Sequence, residues 1–170
     1  MAPTMSVRIL VIDDEPSIVR ALARLLRRSG YTVDTAGNGR QALAQLQAQP
    51  YEVIVTDLRM PELDGRAFYT RLQQQYPALC QRVIFLTGES SAAESRAFLT
   101  QCGQPWLAKP YAIAALRRTI QQVLQRAGLG RARCPPRPER SGVGQAVGAP
   151  RAPWPGRTSR GRGTVQVYDR

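Results

Sequence analysis

The stretch "VIVTDLRMPELDG", Val53 to Gly65, starts as a segment suited to burial and ends as one that is not. Four of its first five residues are β-branched, the pattern of a strand covered on both faces. That strand ends in Asp57, and a carboxylate at the end of an apolar run is costly unless something holds it. The rest of the chain has to supply the holder.

On either side of this stretch, β-rich runs alternate with helical patterns, five of each. The alternation predicts an α/β fold, a five-stranded doubly wound parallel sheet with helices on both faces. The strands are "VRILVI" (7–12), "YTVDTA" (31–36), "YEVIVTD" (51–57), "RVIFLT" (82–87) and "PWLA" (105–108). The second is the most polar, as an edge strand would be. Ile18, Leu22, Leu25 and Leu26 recur at helical spacing up to the stop at Ser29-Gly30. A second helix, "NGRQALAQLQAQ" (38–49), is entered through an Asn38-Gly39 turn, and a third runs from about Arg66 to Tyr76, before Pro77. "SAAESRAFLTQ" (91–101) is the fourth. In the fifth, "IAALRRTIQQVLQ" (113–125), Ile113, Leu116, Ile120, Val123 and Leu124 form one apolar stripe.

The 170 residues carry 24 basic and 12 acidic side chains, a net charge of +12, distributed unevenly. Residues 1–126 have a net charge of +5 and residues 127–170 a net charge of +7. The latter are rich in Gly, Pro and Arg and lack periodicity, so the expected division is a folded domain over 1–126 and a disordered basic tail over 127–170. Cys80, Cys102 and Cys134 form no C-x-x-C pair and the chain has no histidine, which argues against a zinc site or a disulfide framework. The run from Val7 to Ile12 is too short for a signal peptide or a membrane span, so a cytoplasmic location is expected.

In an open parallel sheet, ligands bind beyond the carboxyl ends of the strands. The polar residues gather there: Asp13 and Asp14 after strand one, Asp57 ending strand three, Thr87 ending strand four, and Lys109-Pro110 after strand five. Taken singly, each has an ordinary role as a helix cap, a strand residue or a solvated charge. Together, three carboxylates repel one another and call for shared protons or a divalent cation. A hard cation with oxygen ligands, magnesium first, is the simpler answer. The chain has 23 arginines and a single lysine, Lys109, at the end of the fifth strand. A compact ammonium reaches a phosphate as a point charge, which a planar guanidinium does not reproduce.

Through "VIDDEP" (11–16), "DLRMPELDG" (57–65), Thr87 in "FLTGES" (85–90) and "WLAKP" (106–110), residues 6–126 resemble the CheY-like receiver domains of two-component response regulators. The resemblance implies a flavodoxin-like strand order 2-1-3-4-5 and a phosphoacceptor, Asp57, that forms an aspartyl phosphate. It further implies Mg2+ (or Mn2+) held by Asp14, Asp57 and the backbone carbonyl of Arg59, with Asp13 acting through water. Lys109 would pair with the phosphoryl group, Thr87 would hydrogen-bond it, and Met60-Pro61 and Asp64-Gly65 would shape the turn. The Lys109-Pro110 bond would be cis. Trp106 takes the position of a switching aromatic, where the family more often has Tyr or Phe; its alternative role is a fixed anchor over the fourth and fifth helices. Arg59 and Glu89 occupy positions that tune phosphate lifetime.

The function implied is that of a receiver in phosphorelay signal transduction. It takes a phosphoryl group from a histidine kinase or phosphotransfer protein and switches contacts with a downstream protein, catalysing only its own phosphorylation and dephosphorylation. The 44 residues after Arg126 show no helix-turn-helix pattern and no catalytic motif, so a stand-alone receiver is expected. A second reading has the basic tail, with Trp154 and Tyr168 interspersed, binding nucleic acid under control of the receiver. A solvated extension ranks above it. A small phosphatase with an aspartyl nucleophile would want an acid two residues after Asp57, where Arg59 stands.

Overall fold

Side chains along a strand alternate between the two faces of a sheet, so an apolar run is stable only if both faces are covered. In the computed structural model, which describes residues 6–88 and 93–129, this is how the chain is arranged. Five parallel strands lie in the order β2-β1-β3-β4-β5: β1 Arg8–Ile12, β2 Thr32–Ala36, β3 Val53–Asp57, β4 Val83–Thr87 and β5 Trp106–Ala108. The helices are α1 Pro16–Arg28, α2 Gly39–Ala48, α3 Gly65–Gln75, α4 Ala93–Cys102 and α5 Ile113–Arg126. Fold class and strand order match the sequence expectation.

The period-two alternation sorts the core into two layers. Ile9, Val11, Val53, Val55, Ile84 and Leu86 face α1 and α5, where Leu22, Leu26, Leu116 and Ile120 meet them. Their neighbours Leu10, Ile12, Ile54, Val83 and Phe85 face Leu46, Phe68, Leu72 and Leu99 from α2, α3 and α4. Burying one such side chain contributes about 1.5–3 kcal/mol.

Two local features depart from the sequence reading. Leu25 does not join the buried stripe of α1; Val19, Leu22, Ala23 and Leu26 define the sheet-facing line, and Leu25 on its flank is 42% exposed. After α3, Pro77 does not lead directly into β4. The chain makes a 3-10 turn over Pro77–Arg82 that buries Cys80. No periodicity announces so short an element. At the other end of the domain, the Leu129 N–H donates to Leu124 O, and Leu129 packs against the α1/α5 layer. The expected disorder of the tail falls, apart from residues 127–129, on residues outside those described.

The β2 edge of the sheet is not bare. Thr32 N–H and Ala36 O bond towards β1, so the groups of Val33 and Thr35 point away from it. The outward Val33 O accepts from Arg27 Nη2 of α1, and the outward Thr35 O accepts from Gln45 Nε2 of α2 at 2.8 Å. Among the described residues no helix is long and apolar enough to cross a membrane.

The order reverses at β1, which has β2 on one side and β3 on the other, and this opens a crevice beyond the carboxyl ends of β1 and β3. Gly65 sets how closely α3 approaches that crevice. A Cβ there would lie 2.3 Å from Asp57 O and 2.9 Å from Leu58 Cα, both backbone atoms that cannot swing aside. Gly65→Ala is therefore expected to destabilise the domain by about 3 kcal/mol, the upper range for overpacking. Chemical denaturation checks this; an unchanged midpoint would show that the helix can back away from the strand freely.

Candidate functional site

Asp13, the first residue after β1, is only 2% exposed. Its N–H donates to Ala36 O of β2, which fixes the backbone, while Oδ1 accepts from the Glu15 N–H at 2.9 Å. Its other oxygen, Oδ2, accepts from Lys109 Nζ at 2.8 Å. The same ammonium donates to Asp57 Oδ2 at 2.6 Å, and Asp57 Oδ1 accepts from the Arg59 N–H at 3.2 Å. Lys109 is itself placed by its backbone: its N–H donates to Thr87 O at 2.7 Å, and the bond to Pro110 is cis, as expected. Thr87, 1% exposed, ends β4 one residue beyond the pairing of Asp57 with Leu86.

Asp13, Asp14 and Asp57 each bring an oxygen within 4.8 Å of the others, Asp14 from an exposed position. One ammonium against three carboxylates leaves this group with an excess of negative charge. Oxygen donors without nitrogen or sulfur suit a hard divalent cation, so the residues present fit the metal that the sequence implied. Burial acts on Lys109 most strongly and would lower its pKa, but hydrogen bonds to Asp13 and Asp57, with their charges, overcome it and hold the group above the ordinary value. The pairing therefore contributes its full stabilisation below the ordinary lysine value of 10.5 and loses it only as pH rises through the raised one.

Thus the structure brings Asp13, Asp14, Asp57 and Lys109 together, with Arg59 adjoining and Thr87 joined to Lys109 through the backbone. Trp106 lies further along. It pairs with Phe85 in the sheet and packs, half-buried, on the α2–α4 layer with Phe98 and Cys102. Glu89 lies outside the described residues. Burial pushes the thiols of Cys80 and Cys102 up, which suits inert core residues.

Sequence reasoning missed the side chains that hold the rim. Arg66 of α3 reaches α4, donating to Ser95 Oγ at 3.1 Å and lying 5.7 Å from the centre of the Phe98 ring. Phe98 stacks edge-on with Tyr69 and Phe85, both at the α3–β4 junction. Asn38 Nδ2 donates to Glu62 Oε2 at 3.1 Å, joining the start of α2 to the loop after β3. Asn38 was legible only as part of a turn, and an isolated surface arginine gives no sign of its partner.

A family model described as the response regulator receiver domain matches residues 9–121. The probable transcriptional regulatory protein TcrX of Mycobacterium tuberculosis is 31% identical over 123 residues, 72% of this chain and 52% of that protein. The alkaline phosphatase synthesis transcriptional regulatory protein PhoP of Bacillus subtilis is 33% identical over 122 residues, 72% and 50% respectively. The chain spans about half the length of the curated relatives it matches. Among solved structures, the chemotaxis protein CheY4 of Vibrio cholerae is similar with a TM-score of 0.64 and 32% identity, over 70% of this chain and 99% of that one. The response regulator TrrA of Thermotoga maritima, in complex with Mg(2+)-BeF, gives 0.61 and 28%, over 69% and 99%.

Removing the ammonium leaves the buried Asp13 carboxylate facing Asp57 without compensation. Lys109→Met is expected to cost about 3 kcal/mol of stability at neutral pH without divalent cations. Added magnesium should restore part of it. Thermal melts with chelator and with magnesium measure both effects, and a variant as stable as wild type in chelator would contradict the electrostatic account.

Proposed function

The chain belongs to the response regulator receiver domain family, and we propose that its phosphoacceptor is Asp57. As a receiver domain it is a phosphoacceptor signalling module of two-component systems; which residues do the work, and with which partners, is the proposal. The observation that carries it is the Asp57 carboxylate at the end of β3, held by Lys109 and flanked by Asp13 and Asp14.

A carboxylate oxygen of Asp57 attacks the phosphorus of a phosphohistidine on a histidine kinase or phosphotransfer protein. A P–O bond to the aspartate forms as the P–N bond breaks, and the imidazole leaves with the electron pair. The cation, Mg2+ or Mn2+, would be held by Asp14, Asp57 and the Arg59 carbonyl, with Asp13 acting through water; when bound, it supplies positive charge to the oxygens of the transferring group. Once Asp57 is phosphorylated, the Lys109 ammonium keeps Asp13 and turns its second bond to a phosphoryl oxygen. The hydroxyl of Thr87 supplies a further donor from the end of β4. Trp106, on the next strand, would carry that movement to the surface, where a downstream protein reads it. The domain catalyses nothing beyond its own phosphorylation and dephosphorylation.

A groove of 340 Å3 opens beside Lys109, lined by Ile18, Leu25, Pro110, Tyr111 and Ile113. Its apolar walls and its position suit the helical face of a phosphoryl donor protein, which gives the exposed Leu25 a role. We further propose the division into a receiver over 1–126 and a basic tail over 127–170, whose first three residues close α5 against the core, the tail contributing nothing to the phosphoacceptor site.

Purified protein incubated with a small phosphodonor and magnesium should gain one phosphoryl group by intact mass spectrometry, and none with chelator. Asp57→Asn should gain none, since an amide is not a nucleophile here; a magnesium-dependent phosphate on that variant would overturn the assignment. Leu25→Asp should leave labelling by the small donor intact while slowing transfer from the cognate kinase about tenfold, the loss of about 1.4 kcal/mol of docking energy. Equal slowing with both donors would move Leu25 from docking to folding.

A further inference from the structure

The start of α2 touches the loop between β3 and α3 at two points that the reaction above does not use. Asn38 bonds in both directions: Oδ1 accepts from the Gln41 N–H at 2.9 Å, capping α2, and Nδ2 donates to Glu62 Oε2 at 3.1 Å. Gly39 donates its N–H to Leu63 O at 3.2 Å, and a Cβ on it would come 2.8 Å from that oxygen and 2.9 Å from Leu63 Cδ2. Glu62 is the one non-glycine residue with positive φ, 68°, among the described residues. A glutamate keeps that conformation only where its surroundings over-determine it.

The loop gripped in this way carries Arg59. Between Asp57 and Asp64 it belongs to no helix or strand, and its own backbone bonds are few: Leu63 N–H to Pro61 O at 2.9 Å, and Gly65 N–H to Leu58 O at 3.1 Å. Asp64 fixes the far end by capping α3, its Oδ1 accepting from the Ala67 N–H at 2.8 Å. A hard cation needs its oxygens at set distances, and a backbone carbonyl can be placed only by the chain that carries it. The Asn38-Gly39 grip adds an external hold to a loop with few internal ones.

We propose that Asn38 and Gly39 are positioning residues for the cation site, fixing Glu62 and Leu63 and through them the loop that carries the Arg59 carbonyl. The inference rests on the divalent-cation reading of the site. Asn38→Asp separates the two jobs of the side chain. Asp caps a helix as well as Asn does, so α2 keeps its start, but a second carboxylate now faces Glu62 where a donor stood. Extra negative charge alone would tighten a cation site, so weaker binding reports a displaced loop.

Calorimetric titration with magnesium ion alone is expected to give an affinity about tenfold weaker in Asn38→Asp than in wild type. Unfolding midpoint and helix content should stay close to wild type. The double variant Asn38→Asp, Glu62→Gln rebuilds the hydrogen bond with donor and acceptor exchanged, and should recover wild-type affinity. Equal affinity in wild type and Asn38→Asp overturns the proposal, as does a double variant no better than the single one. Wild-type protein that takes up no divalent cation overturns the reading of the site itself and the grip's role with it, an outcome distinguished by needing no variant.

Discussion

The site depends on one ammonium. Lys109 Nζ joins Asp57, 52 residues away in the chain, to Asp13, 96 residues away, while its backbone N–H holds Thr87 O. The ends of β1, β3 and β4 therefore meet at a single residue, the one that follows β5, a strand only three residues long. That meeting is possible only if β4 and β3 lie between β5 and β1, in register, so the sheet order is a precondition of the charge arrangement. The cost runs the other way as well: without Lys109, the carboxylates at the carboxyl end of β1 and β3 would repel across the crevice. The packed strands fix where the carboxylates sit, and the lysine makes it tolerable for them to sit there.

The parts of this arrangement that follow from local rules were legible in the sequence. Four β-branched residues before Asp57 marked a doubly covered strand; which residues enter which layer, Leu10 against Val11 or Ile54 against Val55, became visible only in the folded sheet. The gathering of Asp13, Asp14, Asp57 and Lys109 could be read because the fold places strand ends together and because a lone lysine among arginines stands out. Leu25 was misplaced because it sits at helical spacing yet on the flank of the buried line, and spacing alone does not fix which line faces the sheet. The rim was illegible for another reason. Arg66 with Ser95, and Asn38 with Glu62, are contacts between elements 29 and 24 residues apart, made by side chains with no periodic signature.

The rim also shows how the domain divides its labour. Beneath α4 lie the edge-on rings of Tyr69, Phe85 and Phe98, with Arg66 closing one side. Aromatic pairs of this kind contribute about 0.5–1.5 kcal/mol each, so α4 is held by a few separable contacts. α1 and α5, by contrast, bury continuous stripes against the opposite face. α4, the element held by those separable contacts, lies on the face that Trp106 packs against, beside the end of β4 where Thr87 stands.

Finally, the side-chain caps on β2 bear on how copies of this domain can meet. An exposed strand with free carbonyls is a template on which another chain can polymerise. Here Arg27 and Gln45 already occupy the two outward carbonyls of that margin, so an incoming backbone would have to displace a guanidinium and an amide before it could dock. Growth of the sheet past β2 is thereby discouraged. Two side chains thus keep that margin of the sheet from serving as an open template.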